Sequence, residues 1–339
     1  MNMRTWLNDL RDAPVKKAMP ILSFPCVSLL GVTVKQLISD SDLQAKGMKA
    51  VADRVDSAAS VSMMDLSVEA EAFGAQVRFS DDEVPTVIGA LVEDEEAAEA
   101  LEVPTVGAGR TGLYVEAIRK ACTLIQDRPV FAGVIGPFSL AGRLMGVSDI
   151  MIQCYEEPDA VHTVMKKCTQ FLIEYVKAYK QAGANGVMMA EPLTGLLSPK
   201  LAEEFSEPYV REIVQAAQTD DFLVMYHNCG NGTIHQIDSI LRTGAAAYHF
   251  GNSISMKEML EHIPGDIVTM GNVDPAGQFC RGTAESIREE TLRIMGECCT
   301  HSNFVISSGC DIPPASPWEN INAFFGAVKE YYRSKNGKR

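Results

Sequence analysis

His227, Asn228 and Cys229 form a His-x-Cys triplet, and Cys310 stands far downstream in the run Ser307-Ser308-Gly309-Cys310-Asp311-Ile312-Pro313. One imidazole and two thiolates make a donor set suited to zinc. Three protein ligands leave one position open, which marks a catalytic rather than a structural zinc site. A thiolate-rich zinc is electron-rich and suits the activation of a substrate thiol as a nucleophile. The same residues have a plainer reading. The chain has nine cysteines, and cysteine is among the most buried residue types. Cys122, Cys154, Cys168 and the pair Cys298-Cys299 fall in helix-like stretches and read as core.

Whether the three donors meet depends on the elements that carry them. Both pieces follow short apolar runs, at 222–225 and 304–306. Similar β-like runs recur at 19–24, 60–66, 130–135, 186–190, 222–226, 245–250, 267–270 and 304–307. Several are apolar on successive positions, as strands buried on both faces are. Helical patterns lie between them, at 157–182, 199–219, 234–243 and 284–299. Strand–helix alternation repeated in this way predicts an α/β fold, a (β/α)8 TIM barrel. The expectation is one domain over residues 1–339, with an N-terminal helix at 1–14. Residues 70–128 form a long excursion, expected to be an acidic loop plus a helix that serves as a lid over the barrel mouth.

In such a barrel, chemistry sits at the carboxyl ends of the strands. Those ends read Asp65, Gly136-Pro137-Phe138, Glu191-Pro192, His227-Asn228-Cys229, His249-Phe250-Gly251-Asn252, Gly271-Asn272-Val273-Asp274-Pro275 and Gly309-Cys310-Asp311. Two of them carry the proposed ligands, so the donors can meet over the mouth. Two other signals point elsewhere. Gly107-Ala108-Gly109-Arg110-Thr111-Gly112 matches the Gly-x-Gly-x-x-Gly of nucleotide sites, but that motif needs a strand before it. Pro104 interrupts the preceding segment, so a loop at a helix start is expected. Glu69 and Glu71 read as a solvated face or helix N-terminus, whereas Asp65 sits at the strand end itself. A lone histidine such as His249, also at a strand end, is more often a hydrogen-bonded packing residue than a ligand.

With 46% hydrophobic and 22% charged residues, the 339-residue chain has ample core for a globular protein. A net charge of −14 argues against a nucleic-acid partner, which needs a basic face. No apolar stretch is long enough for a membrane-spanning helix. The start, Met1-Asn2-Met3-Arg4-Thr5-Trp6, opens an amphipathic helix and has no signal-peptide core. Nine cysteines without that signal fit a reducing, cytoplasmic setting.

Taken together, Asp65 with Glu69-Ala70-Glu71-Ala72-Phe73-Gly74, Gly136-Pro137-Phe138-Ser139-Leu140-Ala141, Glu191-Pro192, Ser198-Pro199, His227-Asn228-Cys229-Gly230-Asn231, Gly271-Asn272-Val273-Asp274-Pro275 and Gly309-Cys310-Asp311-Ile312-Pro313 resemble the uroporphyrinogen decarboxylase superfamily. Within it they look most like the zinc-dependent methylcobamide:coenzyme M methyltransferases, over residues 15–332. The resemblance implies a (β/α)8 barrel that binds zinc through His227, Cys229 and Cys310. It implies transfer of a methyl group from a methylated corrinoid protein to a thiol that zinc holds as thiolate. Asp65, Glu191, His249 and Asp274 are then expected to line the catalytic pocket. Asn228, Gly230, Asn252 and Asn272 are expected to contact the cofactor.

Two departures bear on the substrate. The arginine-rich element that holds the carboxylates of a porphyrinogen is replaced by Ile21-Leu22-Ser23-Phe24-Pro25-Cys26-Val27. The acidic residue that the coenzyme M enzymes are expected to offer as a resting fourth ligand is missing from Tyr248-His249-Phe250-Gly251-Asn252-Ser253. Water, His249 or Asn252 can take that place. Tetrahydrofolate as acceptor, porphyrinogen decarboxylation and a non-catalytic binder with a structural zinc stand as alternatives.

Overall fold

Alternating side-chain direction, repeated on parallel strands, builds this molecule around two separate apolar cores. The structure, a computed structural model, describes residues 1–336. Its strands are β1 (Ser60–Val61), β2 (Gln76–Arg78), β3 (Thr86–Ile88), β4 (Val130–Ile135), β5 (Gly186–Ala190), β6 (Leu223–Asn228), β7 (Ala247–Phe250), β8 (Thr269–Val273) and β9 (Phe304–Ser308). Seven form one curled parallel sheet in the order β1-β4-β5-β6-β7-β8-β9. Parallel neighbours require crossover connections, and helices supply them, including Pro158–Gln181, Glu207–Ala217 and Ala284–Cys298. The expected α/β barrel is the fold observed.

Along each strand, residues of one parity face the lumen and those of the other face the helices. Phe131, Met188, Leu223, Met225, Ala247, Met270 and Val305 form a lumen core. Val130, Ala132, Val187, Val224, Tyr226, Tyr248 and Ile306 pack in the outer core under the helices. The N-terminal helix Met3–Asp12 closes the floor. Met3, Leu7 and Leu10 share one helix face and join the lumen core, and the Trp6 ring packs 5.8 Å from Phe131.

The run expected as a strand at 19–24 is extended but carries no regular ladder. Pro20 removes one backbone donor. The Met19 amide donates to the Ile306 carbonyl at 3.0 Å, and the Ile312 amide donates to the Ile21 carbonyl at 3.1 Å. On the other side, the Ser23 hydroxyl donates to the Val61 carbonyl and the Ala58 amide to the Ala18 carbonyl. Residues 18–23 therefore fill the eighth stave between β9 and β1 by scattered bonds, many from side chains. The strand expected at 60–66 pairs only over Ser60–Val61 and is then continued by the Ser62 hydroxyl, which accepts from the Gly133 amide.

Residues 70–128 are more ordered than a loop plus helix. They contain the antiparallel hairpin β2–β3, the short helix Glu95–Ala100 and the crossover helix Thr111–Leu124. The amides of Leu91 and Val92 donate to the Leu144 carbonyl, which ties this excursion to the helix Pro137–Met145. Leu7→Ala removes a floor contact and is expected to lower unfolding stability by about 2–5 kcal/mol, measured by chemical denaturation.

Candidate active site

His227 has the parity of Leu223 and Met225, so its ring enters the lumen at the carboxyl end of β6. Cys229 follows just past the strand. Its approach is set by Gly251, where a Cβ would lie 2.5 Å from the Cys229 Cα. Cys310 stands two residues beyond β9. There the Gly309 amide donates to the Val273 carbonyl at 2.6 Å, and a Cβ at Gly309 would meet Asn252. The His227 Nε2 lies 3.4 Å from the Cys310 Sγ, and one donor atom each from His227, Cys229 and Cys310 lies within 4.8 Å of the others. In a tetrahedral zinc site an imidazole nitrogen and a thiolate sulfur are roughly 3.5 Å apart. The donor set and its spacing thus fit a zinc ion held by three protein atoms. The two sulfurs act as a pair. The pKa of Cys229 is pulled down, first by the hydrogen bond from Cys310, while that of Cys310, which donates to the thiolate and is buried, is pushed up.

His249 lies beside His227 in the β6–β7 register and is fully buried. Its Nδ1 is 2.8 Å from the His227 Nδ1, and its Nε2 is 2.7 Å from the Ser307 hydroxyl. Burial holds its pKa well below the ordinary value, so the ring is neutral. With both nitrogens engaged behind His227, it is no candidate for the fourth ligand or for a pocket-lining acid–base.

Asp65, expected to face substrate, has a wholly buried side chain. Its Oδ1 accepts from the Ser67 hydroxyl at 2.6 Å and the Ser67 amide at 3.1 Å. Its Oδ2 accepts from the Tyr114 hydroxyl at 2.8 Å and from Arg110. Arg110 also bonds Glu71 at 2.7 Å and Ser67 at 2.8 Å. Sequence reading left Arg110 without a role, although the Gly-x-Gly-x-x-Gly run marks its loop. Gly109 has φ +53°, and a Cβ there would lie 3.2–3.3 Å from atoms of Glu71 and Ala72, so any side chain would be strained and crowded. That close approach is what brings Arg110 over Asp65.

Glu191 is also buried, and it is fully engaged. It accepts from the Phe138 and Ser139 amides at 2.7 and 3.1 Å and from the hydroxyls of Ser139 and Thr194. A carboxylate at the start of the helix Pro137–Met145 is favourably placed against its dipole, yet burial pushes its pKa up to about 7. It fastens the mouth with both carboxylate oxygens engaged. Asn228 has the outward parity of Tyr226, and its side chain accepts from the Gly230 amide and the Thr233 hydroxyl. Gly230 packs against Gly195. Asn272 donates to the carbonyls of Gly251 and Ile254, and Asp274 caps the helical turn Pro275–Cys280. These residues shape loops. Asn252, exposed, joins Asn272 and Asp274 on a cavity of about 400 Å³ that extends to Arg293 on an outer helix. A second cavity of about 380 Å³, lined by Phe24, Val84, Ile312 and Pro313 among others, adjoins the Cys310 loop.

Glu69, expected on a solvated face or at a helix N-terminus, is instead buried, and the Asp311 carboxyl, for which no role was expected, is buried too. Glu69 accepts from the Ile135 amide at 3.0 Å, and its Oε2 has no partner among the described residues. Burial pushes it up to about 8. Asp311, beside Cys310, accepts from the Met64 amide and is likewise pushed up to about 8 by burial.

A parallel barrel with an imidazole and two thiols converging at its carboxyl-end mouth defines a barrel enzyme whose reactive groups sit at strand ends. The chain belongs to the uroporphyrinogen decarboxylase (URO-D) family, whose pattern matches residues 14–331. It is similar to the methylcobamide:CoM methyltransferase MtbA of Methanosarcina acetivorans, 27% identical over 271 residues, which are 79% of this chain and 78% of that one. It is also similar to the uroporphyrinogen decarboxylase of Desulfotalea psychrophila, 29% identical over 279 residues and 80% of each chain. Among solved structures, a methyltransferase from Methanosarcina mazei matches with a TM-score of 0.85 over 98% of this chain and 99% of that chain. At 22% identity that likeness concerns the fold. The resemblance read from the strand-end motifs is borne out.

Arg110→Met leaves Asp65 buried without its cation and is expected to cost about 3–5 kcal/mol of stability, measured by denaturant titration. Glu69, normally near 4.5, holds its proton up to about 8 in the folded protein. Between those values the unfolded chain has released a proton that the native protein keeps, so this group's contribution to stability falls as pH rises. The drop in melting temperature from pH 5 to pH 8 is therefore expected to be smaller in Glu69→Gln than in the wild type. An equal drop in both would refute the assignment.

Proposed function

We propose that this protein is a zinc-dependent methyltransferase that moves a methyl group from a methylated corrinoid protein to a small-molecule thiol. The observation that carries the reading is the convergence of His227, Cys229 and Cys310 on one point at the barrel mouth. Zinc there would hold the substrate thiol as a thiolate at neutral pH. The protein's own part is to offer three donors and leave a fourth direction open. His227 presents its Nε2 toward the sulfurs, and two thiolates offset the charge of a dication. In the overall exchange a sulfur–carbon bond forms and the cobalt–carbon electron pair leaves with the corrinoid. The thiol proton passes to solvent.

Several features support a protein-borne corrinoid rather than a nucleic acid or a membrane surface. The chain is acidic, and no helix among the described residues is long and apolar enough to cross a membrane. We read residues 70–128 as a wall and lid of the mouth, because they deliver Arg110 to Asp65. The site needs reduced thiols, which favours a cytoplasmic setting. Porphyrinogen decarboxylation, the activity in the family's name, fits less well. The arginine-rich element is missing, and Asp65, the counterpart of the pyrrole-binding aspartate, is enclosed by Arg110, Ser67 and Tyr114.

The test is elemental analysis beside a demethylation assay with methylcobalamin and a panel of thiols. About one zinc per wild-type chain is expected. Cys229→Ser is expected to lose zinc and thiol-dependent demethylation together. Retention of both in that variant sinks the proposal. Demethylation by tetrahydrofolate that ignores zinc removal would move the acceptor from a thiol to the folate.

A further inference from the structure

We infer that Ser307 and His249 are positioning residues that hold His227 in the tautomer with hydrogen on Nδ1, so that its Nε2 lone pair points at the two sulfurs. The inference rests on the proposed ligand role of His227, and it assigns that role a support running across the barrel lumen.

The assignment follows from hydrogen-bond accounting that starts at a group with no choice. The Met19 carbonyl can only accept, and the Ser307 Oγ lies 2.8 Å from it. A serine hydroxyl has one hydrogen, so that hydrogen is given to Met19. Toward His249, 2.7 Å away, Ser307 can then only accept. The His249 Nε2 therefore carries a hydrogen. The Nδ1 of a neutral His249 is a bare acceptor, and it faces the His227 Nδ1 at 2.8 Å. The hydrogen in that contact belongs to His227. A second contact requires the same answer. The His227 Nδ1 also lies 3.3 Å from the His249 carbonyl, which is an acceptor only. With Nδ1 protonated, the His227 Nε2 is unprotonated, and it is this atom that stands 3.4 Å from the Cys310 Sγ.

The fold explains why such a chain exists. Ser307, His249 and His227 have the lumen parity of Val305, Ala247 and Met225. His227 and His249 are register partners on β6 and β7, while Ser307 stands on β9, across β8. Met19 belongs to the eighth stave, which lacks a regular ladder, so its carbonyl is available to a side chain. All three relay side chains are buried, which keeps water from competing for the bonds. Zinc-ligating histidines usually give their second N–H to an outer-shell acceptor that fixes ring and tautomer. Here that acceptor is a neutral imidazole rather than a carboxylate, so the support adds no negative charge to a site that already has two thiols.

The test reads the tautomers in metal-free protein and needs no activity. Uniformly 15N-labelled wild type, stripped of metal and kept reduced, is examined by two-bond 1H–15N correlation of the ring nitrogens. The chain has six histidines, and single variants assign the two of interest. The expected pattern is protonated Nδ1 and bare Nε2 in His227, with the reverse in His249. A His227 with hydrogen on Nε2 overturns the inference. Zinc affinity, measured by chelator competition, gives the second readout. Ser307→Ala and His249→Phe are expected to weaken binding roughly 10–100-fold. His249→Gln, whose side-chain oxygen can accept from His227, is expected to recover most of the loss. Unchanged affinity in both Ser307→Ala and His249→Phe also overturns it. If the wild type takes up no zinc but shows the expected tautomers, the metal reading fails while the relay stands.

Discussion

Side-chain parity in the parallel sheet is the constraint on which the mouth depends. A shift of β6 by one residue would turn His227 toward the helices and bring Asn228 into the lumen. The shift is prevented by the two cores. Leu223 and Met225 lie in the lumen layer, and Val224 and Tyr226 lie in the outer layer. Both sets are apolar and both are buried, so exchanging them would strand His227 and Asn228 among unsuitable partners. The same parity on β7 and β9 puts His249 and Ser307 where they can reach across to His227.

Around this framework, buried polar groups act mainly as fasteners. Asp65 is closed by Arg110, Tyr114 and Ser67, and Glu191 by three donors at the start of one helix and the Thr194 hydroxyl. Such groups lose much on leaving water and are kept by partners that satisfy nearly every lone pair. Asp65 fastens the Arg110 loop to the end of the first strand, and Glu191 fastens the start of the helix Pro137–Met145 to the end of β5. Strand-end position therefore separates two kinds of polar residue only when their partners are known. His227, Cys229 and Cys310 have donor atoms turned toward one another, whereas Asp65 and Glu191 have theirs turned into the protein.

The fold is shared with relatives named for two reactions, decarboxylation and methyl transfer. A shared fold does not decide between them, because reaction type resides in the site. In this chain the features that bear on the choice are local: a His-x-Cys pair with a remote Cys, no arginine-rich element at 21–27, and an aspartate occupied by an internal arginine.

Strand–helix alternation, doubly apolar strands and polar residues at strand ends are local properties. They suffice to read an α/β barrel and to single out His227, Cys229 and Cys310. Local pattern misjudges the elements whose form depends on neighbours. The segment at 19–24 looks like a strand but lacks a ladder, since Pro20 removes a donor and side chains take over the bonding. Residues 70–128 look like a loop and a helix but hold a hairpin whose pairing joins separated residues. Function-bearing detail has the same limit. Arg110 meets Asp65 across 45 residues and His249 meets Ser307 across 58. Nothing near either residue in the chain announces its partner, because hydrogen bonds of that span exist only after the barrel has closed.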